Sequence, residues 1–559
     1  MADSLCGMSD RFEKHAWTVT LLTLASRITG LVRDATLSRI FGAGELMSAF
    51  FFAFMIPNLF RRLFGEGALA AAFLPAYAKL NESDPEVARR LASLTIARLT
   101  VLLGAITLIS ELVLFMLSAR TGHQNVAIWL TMVMLPYMPM VCLVAILGAM
   151  LQVHHRFGPT AAAPIILNLA IVVTAVGAPW VVAAAGDPER RVVHVGIVAA
   201  SVLVAGAIQV AWSMAALRCE RWWRKDTNEA REHFGKVLRL AGPMIVGLGV
   251  LQLNTFFDGL IASYPATVGD TIFGTPYPLD VGAMAVVSYA QRLYQFPLGV
   301  FGIAVATAIF PLLARQAGAS HAGPDALGRS GSSSEPSHTD PFSATIRRGL
   351  RLVVFIGIPA SAGLVLVRDE LTAVILQGGE FTPADTGRVG FVLLGYAPAI
   401  WAYSMVHVLT RAYYAKDDSK TPVRIALGVV GLNLALNCTL IWTPLKEAGL
   451  AWSTAICSFV QVGLLLWLVR KHARQVVNRE VLASWCRTII CTLPMTGVVL
   501  LAASYFGEPA PTWAEACGRL ALLVGGGMAI VAITALAMRM PELAWAVGRN
   551  QKTENRKQK

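Results

Sequence analysis

Charged residues are scarce in this sequence. Asp, Glu, Lys and Arg make up 14% of its 559 residues, whereas 55% are hydrophobic. That is about half the share of charge usual in soluble domains. So little charge excludes an ordinary soluble globular protein, because water-facing surface needs polar side chains. We therefore expect an integral membrane protein.

The motifs of common enzyme and metal sites are also absent. The eight cysteines show no C-x-x-C spacing, so neither a zinc site nor a disulfide framework is indicated. The Gly-rich stretch 378–387 lacks the lysine and spacing of a P-loop, and is expected to connect two helices. No HExxH motif, dinucleotide fingerprint or pair of nucleophile and base occurs. These absences argue against an enzyme and predict no metal and no cofactor.

What the sequence has in abundance is long apolar runs. They recur from end to end, and each is long enough to cross a bilayer, which takes about 20 helical residues. They are uniformly apolar rather than alternating, which favours helices over a barrel. The sequence therefore predicts an all-α polytopic membrane protein with about fourteen transmembrane helices.

A weak internal repeat suggests how these helices are grouped. MIPNLFRRLFGEGALAAAFLPAYAK is echoed by YQFPLGVFGIAVATAIFPLLAR, and the turn and helix around Pro159 and Asn168 are echoed around Pro422 and Asn433. Repeated halves that face each other across a midplane site are typical of transporters. We therefore predict two pseudo-repeated six-helix bundles followed by a helix pair.

Composition sets the boundaries of these parts. The bundles are predicted over 1–225 and 226–475, and the helix pair with a basic cytoplasmic tail over 476–559. A Ser-, Gly- and Pro-rich stretch at about 317–344 is typical of a flexible linker.

The net charge of +13 reflects membrane topology rather than a nucleic-acid partner. The basic residues concentrate in alternate short connections, whereas the opposite connections 264–281 and 507–516 have no Lys or Arg; Arg190 and Arg191 are the clearest exception. By the positive-inside rule, both termini are expected in the cytoplasm.

Arginines interrupt the apolar stretch 26–77, among them Arg27, Arg33, Arg61 and Arg62. An Arg that faced lipid at the bilayer centre would cost about 2.5–3.5 kcal/mol. These side chains should therefore face protein or a water-filled cavity, where guanidinium groups can hold phosphate. The alternative is that they are ordinary anchors whose charges reach the headgroups.

Polar neighbours accompany these arginines at helical spacing. Ser26 shares a sector with Arg33, while Asn58 and Glu66 lie three or four residues from Arg61 and Arg62, so an Asn–Arg–Glu ladder can follow one side of a helix. The alternative for this second group is a short cytoplasmic turn. Further along, Arg292 stands alone in the eighth predicted span, where it has few structural explanations.

Several blocks resemble the MurJ/MviN family of lipid II flippases within the multidrug/oligosaccharidyl-lipid/polysaccharide exporter superfamily. The blocks are SRITGLVRDATLSRIFGAG, AFFFAFMIPNLFRRLFGEGALAAAFLPAY, RLYQFPLGVFGIAVATAIFPLLAR, GGEFTPADT and YYAKDDSKTPVRIA. The resemblance implies two helical bundles around a cationic cavity that opens alternately to either side. It also implies that the last two helices form a groove for the lipid tail.

The resemblance also assigns candidate binding residues. The family's cavity arginines match Arg27, Arg33, Arg61, Arg62 and Arg292, with Ser26, Asn58 and Glu66 beside them. The chain differs from its relatives at three positions that are often acidic in the family, because it has Ser48, Gln291 and Gln295 there. Coupling to an ion or proton through those acids is therefore not expected.

The function implied is transport of lipid II, an undecaprenyl diphosphate that bears a disaccharide and a pentapeptide, from the cytoplasmic to the outer leaflet. The expected partners are lipid II, membrane lipid and cell-wall synthases. Two alternatives remain open: a flippase for another lipid-linked oligosaccharide, and a membrane enzyme or scaffold of cell-wall synthesis that transports nothing.

Overall fold

The structure is a computed structural model that describes residues 2–65, 68–120, 125–182, 188–299, 303–319, 340–473, 475–506 and 512–546. In these residues, nine helices precede a small hairpin: α1 Ala2–Phe41, α2 Glu45–Phe60, α3 Ala68–Ser83, α4 Pro85–Arg120, α5 Val126–Met134, α6 Tyr137–Val153, α7 Gly158–Val182, α8 Pro188–Leu217 and α9 Arg231–Thr267. The hairpin pairs β1 Thr271–Ile272 with β2 Thr275–Pro276.

Eleven helices follow the hairpin: α10 Ala283–Pro297, α11 Ile303–Ala319, α12 Pro341–Leu366, α13 Arg368–Leu376, α14 Pro383–Tyr396, α15 Ala399–Ala415, α16 Lys420–Leu440, α17 Ala448–Leu468, α18 Arg479–Phe506, α19 Trp513–Ala537 and α20 Pro541–Ala546. The predicted all-α class is therefore confirmed.

Many of these helices turn an apolar face outward. Leu108 and Ile109 on α4, and Leu493 and Leu501 on α18, are each more than 60% exposed. Soluble proteins rarely leave such large apolar patches in water. Eleven helical segments of the described chain are long and apolar enough to span a membrane. The chain is thus a polytopic membrane protein, and the predicted number of fourteen spans stays a prediction.

The chain divides into two compact units. The first comprises Met1–Ala285 with Leu376–Thr382, and the second comprises Val286–Ile375 with Pro383–Lys559. Most of the predicted linker, residues 320–339, and the predicted basic tail lie outside the described residues.

Within the first unit, the segment Leu376–Thr382 packs on the end of α1. The Ser38 hydroxyl donates to the carbonyl of Leu376 at 2.9 Å, and the amide of Glu380 donates to the carbonyl of Arg39 at 2.9 Å. The Glu380 carboxylate also lies 3.2 Å from a guanidinium nitrogen of Arg191. Arg191 is one of the two arginines that depart from the positive-inside pattern, and this ion pair provides a structural reason for its position.

The sequence echo around Pro159 and Pro422 extends to main-chain geometry. After α6 and α15, the chain turns through a left-handed residue, His155 at φ +56° and Asp417 at φ +58°. In each turn the next amide bonds back five residues, Arg156 to the carbonyl of Leu151 and Asp418 to that of Tyr413.

The side chains at these two turns differ in charge. In the first unit, Arg156 lies 3.6 Å from the Glu220 carboxylate, whereas in the second Asp418 lies 2.9 Å from His472. Burial alone would raise the pKa of Asp418, but hydrogen bonds from His472 and Thr421 outweigh it and hold that pKa below its ordinary value. Each turn therefore closes with a polar side-chain contact, but the turn contributes a basic residue in the first unit and an acidic residue in the second.

Candidate anion-binding site

Arg33 is the most enclosed of the predicted arginines. It lies on α1 with 7% of its surface exposed. Its Nε and Nη2 donate to the same carboxylate oxygen of Asp34 at 2.9 and 2.6 Å, and its Nη1 donates to Oδ1 of Asn168 at 3.0 Å. Because Asp34 is itself only 2% exposed, the two charges stabilise each other inside the unit.

Asn168, on α7, holds this part of α1 in place. Its amide nitrogen approaches the carbonyl of Ser26 at 3.3 Å and the hydroxyl of Thr29 at 3.2 Å, while its oxygen accepts from Arg33. One amide thus connects two of the predicted residues, Ser26 and Arg33. The sequence marked Asn168 as a repeat position, but not as a member of the site.

Arg61 and Arg62 lie on a single π-helical turn, Arg61–Gly65, which follows α2 directly. Both Nε and Nη2 of Arg61 donate to Oδ1 of Asn58, at 3.0 and 2.8 Å, which forms the first step of the predicted polar ladder. Glu66, the last residue of that ladder, lies outside the described residues. Isolated π-helical turns are frequent at functional sites.

Arg62 is held from another helix. Its Nη1 donates to Oε1 of Gln252 on α9 at 3.1 Å. Local sequence pattern does not reveal Gln252, because its partner is 190 residues away along the chain. In these contacts, amide oxygens accept from the guanidinium groups of Arg61 and Arg62 and orient them.

The two remaining arginines are exposed. Arg27 lies on α1, and Arg292 lies on α10 in the second unit. Beside Arg292, the amide of Gln291 donates to the hydroxyl of Tyr396 at 3.1 Å, and the rings of Tyr294 and Tyr396 stack at 4.5 Å. These contacts fix α10 against α14. Within the first unit, the structure therefore groups Ser26 with Arg33, and Asn58 with Arg61.

Ser48 stands where the resemblance described above implies an acid. It is fully buried, and its hydroxyl oxygen accepts a hydrogen bond from the amide of Ala285 at 3.2 Å. In this chain a neutral side chain therefore satisfies that amide, and the position brings no negative charge to the first unit.

Comparisons with known proteins agree on one family. The sequence model described as "Lipid II flippase MurJ" matches residues 37–513. A probable lipid II flippase MurJ of Vibrio cholerae is 30% identical over 88% of this chain and 89% of its own length. A probable lipid II flippase MurJ of Rhizobium tropici is 30% identical over 93% of this chain and 92% of its own length.

Solved structures show the same fold. A lipid II flippase MurJ in an inward closed conformation aligns with a TM-score of 0.70 at 20% identity, over 93% of this chain and 99% of its own. An inward-facing multidrug resistance transporter of the MATE family aligns with a TM-score of 0.58 at 12% identity, over 82% and 98%. At these identities the likeness concerns architecture alone.

Proposed function

This chain belongs to the MurJ family of lipid II flippases, and we propose that its arginines hold the diphosphate of lipid II while the headgroup crosses the membrane. The chain is a bacterial integral membrane transporter rather than a catalyst. The proposed binding set is Arg27, Arg33, Arg61, Arg62 and Arg292, with Ser26, Asn58 and Glu66 beside them.

The observation that supports this proposal most is the orientation of Arg61 and Arg62 by side-chain amides. A guanidinium group in a membrane helix carries a cost in free energy unless hydrogen-bond or ion-pair partners compensate for its charge. Arg33 has partners in Asp34 and Asn168, while Oδ1 of Asn58 orients Arg61 and Oε1 of Gln252 orients Arg62. Guanidinium groups held in this way can donate to phosphate oxygens two at a time.

We also propose how the protein is oriented in the membrane and which molecules it contacts there. Both termini lie in the cytoplasm of the inner membrane, and lipid II enters sideways from the cytoplasmic leaflet while its polyprenyl chain stays in lipid. The two six-helix bundles rearrange to open the site to alternate sides, and the terminal helix pair receives the lipid tail. Cell-wall synthases that use the product are the proposed protein partners.

We propose that the membrane potential sets the direction of lipid II transport. The cell interior is negative, so moving about two negative charges outward at 100 mV is downhill by about 4–5 kcal/mol. No ion coupled through the positions of Ser48, Gln291 and Gln295 is then needed.

We expect lipid II flipping in proteoliposomes to accelerate when a potassium gradient with valinomycin makes the side from which lipid II moves electrically negative. Flipping should slow when the gradient is reversed. The matched control is the same vesicle with equal potassium on both sides. Flipping that ignores both the sign and the size of the potential would contradict this part of the proposal. A wild-type protein that moves no lipid II under any potential would contradict the proposed function itself.

A further inference from the structure

One face of α15 differs from every other part of that helix. Ten of the seventeen residues of Ala399–Ala415 are buried, and the more accessible ones, apart from Trp401 and the terminal Ala415, fall on one stripe. The stripe consists of Tyr403, His407, Thr410, Arg411 and Tyr414. At 100° per residue these five positions span an arc of about 100°, so they form one continuous face.

Every residue of this stripe is polar, which is unusual for the accessible side of a membrane helix. Other helices of the second unit follow the opposite pattern: α16 exposes Leu427 and Leu432, and α18 exposes Leu493 and Leu501. A helix face in contact with lipid tails should be apolar, because no water is there to solvate charge. The α15 stripe is therefore suited to a water-filled cavity.

Its length argues against simple headgroup anchoring. Tyr403 and Tyr414 are eleven residues apart, which corresponds to about 16 Å along the helix. The polar headgroup layer is only about 5–7 Å thick on each side of the hydrocarbon. A stripe of this length must extend into the span, and anchoring explains at most the end near Tyr414.

The chemistry of the stripe suits a ligand that has carboxylates and hydroxyls. The Arg411 guanidinium lies 5.1 Å from the ring centroid of Phe310 on α11, which fixes its direction without neutralising it. Within the described residues, neither Arg411 nor His407 forms an ion pair. Tyrosine rings and hydroxyls, with an oriented cation between them, are groups that bind sugars and acidic peptides.

We propose that this face of α15 is a second recognition surface, which binds the carboxylate-bearing, hydroxyl-rich part of the substrate head beyond the diphosphate. The inference rests on the proposed function, because it assumes a lipid diphosphate that bears sugars and peptide. It divides the work between two surfaces: the arginines discussed above recognise phosphate, and His407 and Arg411 recognise the glycopeptide.

The test compares two lipids on one purified protein in nanodiscs. Lipid II has both parts of the head, whereas undecaprenyl diphosphate lacks the sugars and peptide. We expect the double variant His407→Ala/Arg411→Ala to bind lipid II at least about 10-fold more weakly, since it loses a charge-assisted contact. Its affinity for undecaprenyl diphosphate should stay that of the wild type.

The matched control is Arg424→Ala, which removes an exposed arginine of α16 and should change neither affinity. Arg411→Lys should recover part of the affinity for lipid II, and melting temperatures equal to that of the wild type show that the variants fold. Equal weakening for both lipids, or no change for either, would overturn the inference but leave the proposed function intact. If the wild type binds neither lipid, the proposed function itself fails.

Discussion

Replacing Arg33 by alanine is expected to reduce lipid II flipping at least about 100-fold, because on the proposed function a guanidinium that helps to hold the diphosphate is lost. Arg33→Lys keeps the charge but loses the planar donors, so it should recover only a minor part of the activity. The measurement is the initial rate of flipping in proteoliposomes. Arg98→Ala, which removes an exposed arginine of α4, is the matched control and should flip at the wild-type rate.

The Arg33 variant also affects stability, and a second substitution separates the two effects. Removing Arg33 leaves the carboxylate of Asp34 buried without its cation, which is expected to cost about 3–5 kcal/mol. In Arg33→Ala/Asp34→Asn the orphaned charge is gone, so the melting temperature should return toward the wild-type value. Flipping should stay lost. A double variant that is stable and flips normally would show that Arg33 serves the fold rather than the substrate.

The second large effect concerns Gly379, where Leu376–Thr382 meets the end of α1. Gly379 has φ +56°, and a Cβ at this position would lie 2.2 Å from the carbonyl oxygen of Arg39. Gly379→Ala combines backbone strain with overpacking against main chain, and we expect it to destabilise the protein by about 2–5 kcal/mol. Because α1 also bears Arg33, flipping should fall as well.

Gly387→Ala is the control for this prediction. Gly387 lies on α14, and nothing lies within 4 Å of the Cβ that the substitution would add. An alanine in an exposed helix should stabilise by about 0.5–1 kcal/mol, so the two substitutions are expected to have opposite signs. Thermal unfolding of both purified variants checks this. A Gly379→Ala protein as stable as the wild type would contradict the packing described at the end of α1.

Local sequence pattern was sufficient to predict the helical class and the polar character of the Arg33 and Arg61 segments. Both depend on residues within about two turns of helix, such as Asn58 beside Arg61. The partners contributed by other helices were missed. Asn168 is 135 residues from Arg33, and no periodicity in a single sequence links such a pair.

The same limit applies to the segment Leu376–Thr382, which the sequence identified only as a connection. Its place in the first unit depends on hydrogen bonds of its main chain with the Ser38 hydroxyl and the Arg39 carbonyl, partners that are more than 300 residues away along the chain. The α15 stripe is a different case. The spacing of Tyr403, His407 and Arg411 was available in the sequence, but only the burial of the rest of the helix made it informative.

The central claim is that guanidinium groups of this chain recognise a lipid diphosphate. It is tested most directly by the affinities of the purified protein for undecaprenyl diphosphate and undecaprenyl monophosphate in nanodiscs. The wild type is expected to bind the diphosphate at least about 10-fold more tightly than the monophosphate. This preference should disappear when Arg33→Ala/Asp34→Asn is combined with Arg61→Ala and Arg62→Ala. Equal affinities in the wild type, or a preference that survives in a folded variant, would contradict the central claim.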